Sequence, residues 1–247
     1  MAVLWQRRLQ GVDYEVRTAG ATRRLYTDGV LHTQYNPNRT WTGSVWDLLS
    51  LPALMLPQGK VRRILVLGVG GGAAIRQLLA MFPQAHITGI ELNPVHLRIA
   101  RRFFGLGDPR VELVCDNAVT WLALHDGAPF DIVIDDLFGE RDGVPCRAVT
   151  VDADWLDLLT LPLARHGLLA INFADRREAA RAPWRVTWGS GSRSRFRSVL
   201  SLATPGCENR ITGFFPQDVA PSALRAALVP GIGGARDVPR FSVSRLR

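Results

Sequence analysis

The residues of this 247-residue chain whose types and spacing can do chemistry are a cluster of glycines and the carboxylates that follow it. The run Arg62-Arg63-Ile64-Leu65-Val66-Leu67-Gly68-Val69-Gly70-Gly71-Gly72-Ala73-Ala74 reads as a buried strand that turns through glycines into a helix. Such a turn brings bare backbone amides against a nucleotide, because no side chain stands between ligand and chain. The next apolar segment, His86-Ile87-Thr88-Gly89-Ile90, ends in Glu91, at about the spacing where an acid accepts hydrogen bonds from ribose hydroxyls. Together they point to an adenosine-containing ligand. Each alone leaves a plainer reading open: Gly68-x-Gly70-x-x-Ala73 also fits the dinucleotide fingerprint or a simple turn, and Glu91 can be a helix-entry acid beside the Asn93-Pro94 cap.

Two more strand-like segments end the same way. Val111-Glu112-Leu113-Val114-Cys115 delivers Asp116-Asn117-Ala118, and Phe130-Asp131-Ile132-Val133-Ile134 delivers Asp135-Asp136. In an open parallel sheet, ligands sit beyond the carboxyl ends of the strands, so four consecutive strands aim glycines and acids at one crevice. Asp116 alone can cap its helix, and Asp135 and Asp136 can be loop-entry acids, of which like-charge repulsion sends one towards solvent.

The elements that must position these groups alternate. Strands are expected at 63–67, 86–90, 111–115 and 130–135, with helices at 73–82, 94–104 and 117–125, which is doubly wound, mostly parallel α/β behaviour. An irregular connection to about Thr150, a helix over 154–163 and an apolar strand over 168–173 continue the pattern. A helix over 195–202, strands at 210–215 and 241–244, and a helix over 222–228 complete it. Ahead of the glycine turn, the short segments 14–17, 24–26 and 30–33, separated by Gly20 and Asp28-Gly29, read as hairpins, followed by a helix from Ser44 to Met55. The chain thus divides into a small N-terminal β region with a helix, 1–58, and an α/β domain with a basic C-terminal part, 59–247.

Composition narrows the class. Hydrophobic residues make up 47% of the chain, enough for one sizeable core, and no apolar stretch approaches the roughly 20 residues that span a bilayer. The first eight residues lack the order of a secretory signal, so a cytoplasmic protein without a membrane partner is expected. Cys115, Cys146 and Cys207 are widely separated and fit reduced buried thiols, and no His/Cys cluster has metal-ligand spacing. The net charge of +8 resides in residues 175–247, with 13 arginines against 5 acids, whereas 1–174 are balanced at 17 each. The segment 176–197, with Trp184 and Trp188 among its arginines, is the one candidate polyanion surface; a solvated loop is the plainer reading.

The segments Asp28-Gly29-Val30-Leu31, Arg63 to Leu78 with Arg76, Gly89-Ile90-Glu91-Leu92-Asn93-Pro94, Asp108-Pro109-Arg110-Val111-Glu112 with Asp116, and Phe130 to Asp136 resemble the spermidine synthase family, the aminopropyltransferases built on the class I methyltransferase fold. The likeness covers roughly residues 20 to 175. It implies S-adenosylmethionine or its decarboxylated form as cofactor and no metal. Gly68, Gly70, Gly71, Gly72 and Leu92 would line the cofactor, Glu91 would hold its ribose, and Asp116, Asn117 and Ala118 would meet its adenine. Asp136, with Asp135 beside it, would align with the catalytic aspartate that orients a small amine acceptor and takes its proton, and a homodimer is implied. An alkylamine with a pKa of about 10.4 must lose that proton before it attacks carbon. Four places depart from the family: Gly71 and Gly139 stand where it places acids, His32 where it places glutamine, and its tyrosine-containing helix motif is altered around Trp46-Asp47. An acid at 71 would favour the decarboxylated cofactor over the ordinary one, whose carboxylate it repels, and Glu140 or Asp142 are the acids nearest to Gly139. Aminopropyl transfer, methyl transfer without polyamine activity, and a non-catalytic adenosine-ligand-binding or RNA-binding role therefore stay open.

Overall fold

The computed structural model describes residues 1–141, 143–188, 195–228 and 239–247. Its N-terminal part is a four-stranded antiparallel meander, β1 (Ala2–Leu9), β2 (Val12–Ala19), β3 (Thr22–Thr27) and β4 (Val30–Tyr35), paired in chain order. The turns at Gln10-Gly11 and Asp28-Gly29 place both residues at positive φ, the geometry that joins tightly twisted strands. The first strand was not expected. Its side chains are almost all exposed, so it carries no alternation of burial to read.

Helix α1 (Val45–Ser50) continues as a 3₁₀ turn over Leu51–Met55, because Pro52 cannot extend the α-helical bonding. The main sheet then builds as β5 (Arg63–Leu67), α2 (Ala73–Met81), β6 (His86–Glu91), α3 (Pro94–Phe103), β7 (Val111–Cys115), α4 (Ala118–Leu124) and β8 (Phe130–Asp135). Next come the hairpin β9 (Phe138–Arg141) and β10 (Val144–Arg147), α5 (Ala153–Thr160), β11 (Leu163–Phe173), α6 (Arg176–Arg181), α7 (Trp184–Thr187), β12 (Ser198–Ala203), β13 (Arg210–Phe215), α8 (Pro221–Ala226) and β14 (Ser242–Arg245). The eight strands order as β14-β12-β13-β11-β8-β5-β6-β7. The run from β7 to β11 is parallel, and β13 enters antiparallel between β11 and β12.

Both faces of this sheet are covered, which is why its strands read as unbroken apolar runs. In β5, Ile64 and Val66 join the core beneath α1 and α2, while Leu65 and Leu67 join the opposite core with Trp155, Leu156 and Leu159 of α5. A third cluster, Tyr14, Val16, Leu25, Val95, Ile99 and Phe104, seats the meander on α3. That contact brings β4 over the glycine turn.

Three expectations are corrected. Residues 198–203 form a strand, not a helix: Val199, Leu200 and Leu202 are fully buried between β13 and β14, and this pairing overrides the local pattern. The connection after Asp136 holds the β9–β10 hairpin, not irregular chain. The cysteines are free thiols but not buried; Cys115 is exposed and the other two are half-buried. Among the described residues no helix is long and apolar enough to cross a membrane, and no group of three or more His, Cys, Asp or Glu is placed to hold a metal.

Candidate active site

The strand ends form one level. Gly68 N donates to Ile90 O at 2.9 Å, Asp136 N to Leu67 O at 2.8 Å and Asp116 N to Glu91 O at 3.2 Å, so the turn, Glu91, Asp116 and Asp136 sit side by side. Gly68, Gly70 and Gly72 all have positive φ, and a Cβ on Gly68 would overlap the Asp136 carbonyl. Close approach between strand ends, as much as any ligand, requires glycine there.

The turn's amides are not bare. Val69 N and Gly70 N donate to Glu91 Oε2 at 3.1 and 2.8 Å, Gly71 N donates to Thr33 Oγ1 at 2.7 Å, and Gly72 N to Val69 O at 2.7 Å. Thr33, on β4, is buried, and nothing in the sequence marks it. Glu91 Oε1 accepts in addition from Asn93 N at 2.9 Å. Burial raises the pKa of Glu91, but His96, 3.8 Å away, and the amides of Asn93 and Gly70 outweigh it and hold the carboxyl below its usual range. Glu91 is therefore an ionised acceptor, the form that receives hydroxyl hydrogen bonds.

Leu92, Asp116 and Asn117 are exposed, with Ala118 buried behind them. Asn117 caps α4, accepting from Val119 N at 2.9 Å and Thr120 N at 3.3 Å, and its own amide donates to Asp116 Oδ1 at 2.7 Å. Leu92 and Asp116 thus form an exposed edge beside Glu91.

Asp135 and Asp136 have separate surroundings. Asp135 is fully buried; its Oδ2 accepts from Arg147 Nη2 at 2.7 Å and Trp155 Nε1 at 2.8 Å. It is committed to the interior. Asp136 is only partly enclosed, with Oδ1 accepting from Asn172 Nδ2 at 2.7 Å. Burial, reinforced by the charges of Asp135 and Glu91 and opposed by Asn172 and Arg147, pushes its pKa up to about 7. A carboxylate that titrates near neutrality can take a proton from an amine and pass it to water.

Asn172 had a signal in the sequence, an amide inside the apolar run 168–173. Arg147 and Trp155 had none. Of the flanking positions, His32 lies partly buried with its ring 4.9 Å from that of His96. Burial, and then His96, push its pKa down to about 4 despite Glu91. Glu140 accepts from Gly143 N at 2.8 Å at the exposed hairpin turn, and Asp142 lies outside the described residues. In the basic segment, Arg195 donates to the carbonyls of Thr160, Leu163 and Ala164, and Arg185 stacks on Trp184 while bonding Leu246 O, so these two arginines are held by the fold; Arg193 lies outside the described residues.

Sheet order, glycine turn and acidic strand ends define a class I methyltransferase-type α/β domain, and a family model described as a methyltransferase domain matches residues 64–142. The chain is 32% identical over 199 residues to a polyamine aminopropyltransferase of Mycobacterium tuberculosis, an alignment covering 77% of this chain and 35% of that protein. Its fold matches a probable spermidine synthase from Corynebacterium glutamicum with a TM-score of 0.74 at 19% identity, covering 99% of this chain and 91% of the other. A spermidine synthase in complex with the transition state analogue AdoDATO matches with a TM-score of 0.62 at 14% identity, covering 93% and 76%. In sequence the chain is similar to polyamine aminopropyltransferases, and its fold is that of solved spermidine synthases. It spans about a third of the length of the curated relatives it matches first.

Proposed function

We propose that the chain transfers an alkyl group from a sulfonium nucleoside, decarboxylated S-adenosylmethionine in the leading reading, to a small amine, with Asp136 as the base. The observation that carries this is the placement of Asp136, partly enclosed and raised to about 7, level with the glycine turn and Glu91. The sulfonium supplies an electrophilic carbon whose bond to sulfur breaks as a neutral thioether leaves. Glu91, ionised, receives ribose hydroxyls in place of part of its bonding to Val69 and Gly70, and the edge of Leu92 and Asp116 accepts the adenine. Asp136 Oδ2, the oxygen not bonded to Asn172, orients the amine and takes its proton as the new C–N bond forms. Asp135 takes no part in proton transfer; it anchors the strand end.

A second reading, methyl transfer from S-adenosylmethionine, has one observation in its favour. A Cβ on Gly71 would lie 2.8 Å from Thr33 Cγ2 and 3.2 Å from Phe104 Cδ1, so the place where the resemblance puts a cofactor-selecting acid is filled by β4. The test is to supply either cofactor with putrescine and identify the nucleoside released. Methylthioadenosine supports aminopropyl transfer, S-adenosylhomocysteine supports methyl transfer, and neither, at any pH between 6 and 9, overturns the transferase reading. In the productive case Asp136→Asn lowers turnover by about 10²–10⁴-fold.

A further inference from the structure

Behind Asp136 runs a chain of three hydrogen bonds that proton transfer itself does not use. Asn172 Nδ2 donates to Asp136 Oδ1 at 2.7 Å, Asn209 Nδ2 donates to Asn172 Oδ1 at 3.0 Å, and the Cys207 thiol donates to Asn209 Oδ1 at 3.1 Å. Asn172 is on β11 and 2% exposed; Asn209 and Cys207 lie in the β12–β13 connection, which the antiparallel pairing of β13 with β11 brings alongside. We propose that Asn209 is a positioning residue that locks the Asn172 amide with its N–H towards Asp136 and so sets the ionisation of the base, a role that rests on the assignment of Asp136 above.

The physical reason is the two-faced chemistry of a primary amide. One end of Asn172 accepts and the other donates, and the two ends are nearly identical in shape, so packing alone does not choose between them. An ionised Asp136 only accepts, and it requires the N–H end. A protonated Asp136 can donate, and it tolerates the carbonyl end. Asn209 breaks the tie, because its Nδ2 requires the Asn172 oxygen. Asn209 is itself oriented by the Cys207 thiol, which has one proton to give. Donors therefore point one way along the chain, towards the carboxylate, and stabilise its charge.

The charged groups facing Asp136 come from elsewhere: Asp135 at the end of β8 and Glu91 at the end of β6 oppose its ionisation, and Arg147 on β10 favours it. Asn209 adds no charge to this set. Removing it changes only which end of the Asn172 amide Asp136 meets, and that is what separates a positioning role from a general electrostatic one.

The test follows the Asp136 carboxyl carbon by NMR in protein labelled with ¹³C-aspartate, the resonance being identified by its loss in Asp136→Asn. Asn209→Ala is expected to move the titration midpoint of Asp136 up by about one unit. Cys207→Ala, at a half-buried position where water can replace the thiol, moves it less and in the same direction. Asn172→Leu sets the largest shift. An Asn209→Ala midpoint equal to that of the parent chain overturns the proposal, as does a downward shift. Because the readout needs no substrate, an upward shift in a chain that releases no nucleoside from either cofactor upholds the role of Asn209 and overturns the transferase reading alone.

Discussion

Arg147 Nη2 stands 2.7 Å from Asp135 Oδ2, between a guanidinium side chain 3% exposed and a carboxylate with no exposure at all. The same guanidinium donates to the Asn172 carbonyl at 2.5 Å and to Val149 O at 3.1 Å, so one side chain ties the β9–β10 hairpin to the ends of β8 and β11. A buried pair of this kind contributes modestly against apolar replacements, but losing one partner strands the other charge. Arg147→Met is therefore expected to cost about 3–5 kcal/mol in urea unfolding, and adding Asp135→Asn to recover a substantial part of it. Additive losses in the double variant would show that the two groups do not depend on each other.

Asp136 carries a pH dependence of opposite sign for activity and for stability. Its pKa in the folded chain, about 7, lies above the roughly 3.9 of an unfolded aspartate. In the proposed reaction the ionised base becomes available as pH rises through 7, so turnover is expected to climb there. Stability does the reverse: the unfolded chain ionises first, and folding loses free energy from about pH 4 to 7 before levelling off. Asp136→Asn removes a charge that its partial enclosure disfavours and is expected to raise the melting temperature by several degrees at pH 8 and by much less at pH 5. Equal shifts at both values would contradict the assignment.

His32 titrates in the other direction. Held to about 4 in the fold against roughly 6.5 when unfolded, it is neutral in both states above pH 7 and contributes no pH dependence there. As pH falls below 6.5 the unfolded chain takes up a proton that the folded chain refuses, and stability declines until about pH 4. Between about pH 4 and 6.5 this contribution opposes that of Asp136, so His32→Gln is expected to expose a fall in stability with rising pH that the parent chain largely cancels, while leaving the melt at pH 8 within about 1 kcal/mol of the parent. A variant profile parallel to the parent's over this window would show that His32 does not set the acid side.

The central strands were legible because a sheet covered on both faces leaves no choice of residue: Ile64 to Leu67 and Ile132 to Ile134 are fully or almost fully buried. Glu91 and Asp136 were legible for a related reason, since a charge directly after such a run can only stand at a strand end. Exposed β1 and the short β9–β10 hairpin lacked that contrast, and β12, with Ser198 and Ser201 breaking its apolar run, acquires its form from β13 and β14. The partners of the site were the least visible. Thr33, Arg147 and Asn209 reach it from the meander, the hairpin and a distant turn, and only the folded chain brings them near. Tertiary contact also divided two adjacent aspartates that look equivalent in sequence: Trp155 and Arg147 claim Asp135, whereas Asp136 meets Asn172 and keeps part of its surface exposed.

The two glycines that depart from the family pattern differ in the space around them, and substitution should separate them. A Cβ at Gly139 meets nothing within 4 Å, whereas one at Gly71 presses on Thr33 Cγ2 at 2.8 Å and Thr33 Cβ at 3.0 Å in a fully packed neighbourhood. Neither position has the left-handed backbone that would strain any side chain, so the contrast is one of packing. Gly139→Asp is expected to leave stability within about 0.5 kcal/mol. Gly71→Asp should cost about 1–3 kcal/mol by overpacking, part of which Thr33→Ser restores by removing the Cγ2 methyl while keeping the hydroxyl that accepts from Gly71 N. In the proposed reaction only the Gly71→Asp/Thr33→Ser pair then offers a carboxylate to the cofactor's amino end, so calorimetry with both cofactors should find its preference shifted towards decarboxylated S-adenosylmethionine relative to the parent chain. An unshifted preference in a pair that folds would place cofactor selection away from the glycine turn, and a stable Gly71→Asp single variant would show that β4 does not close this position.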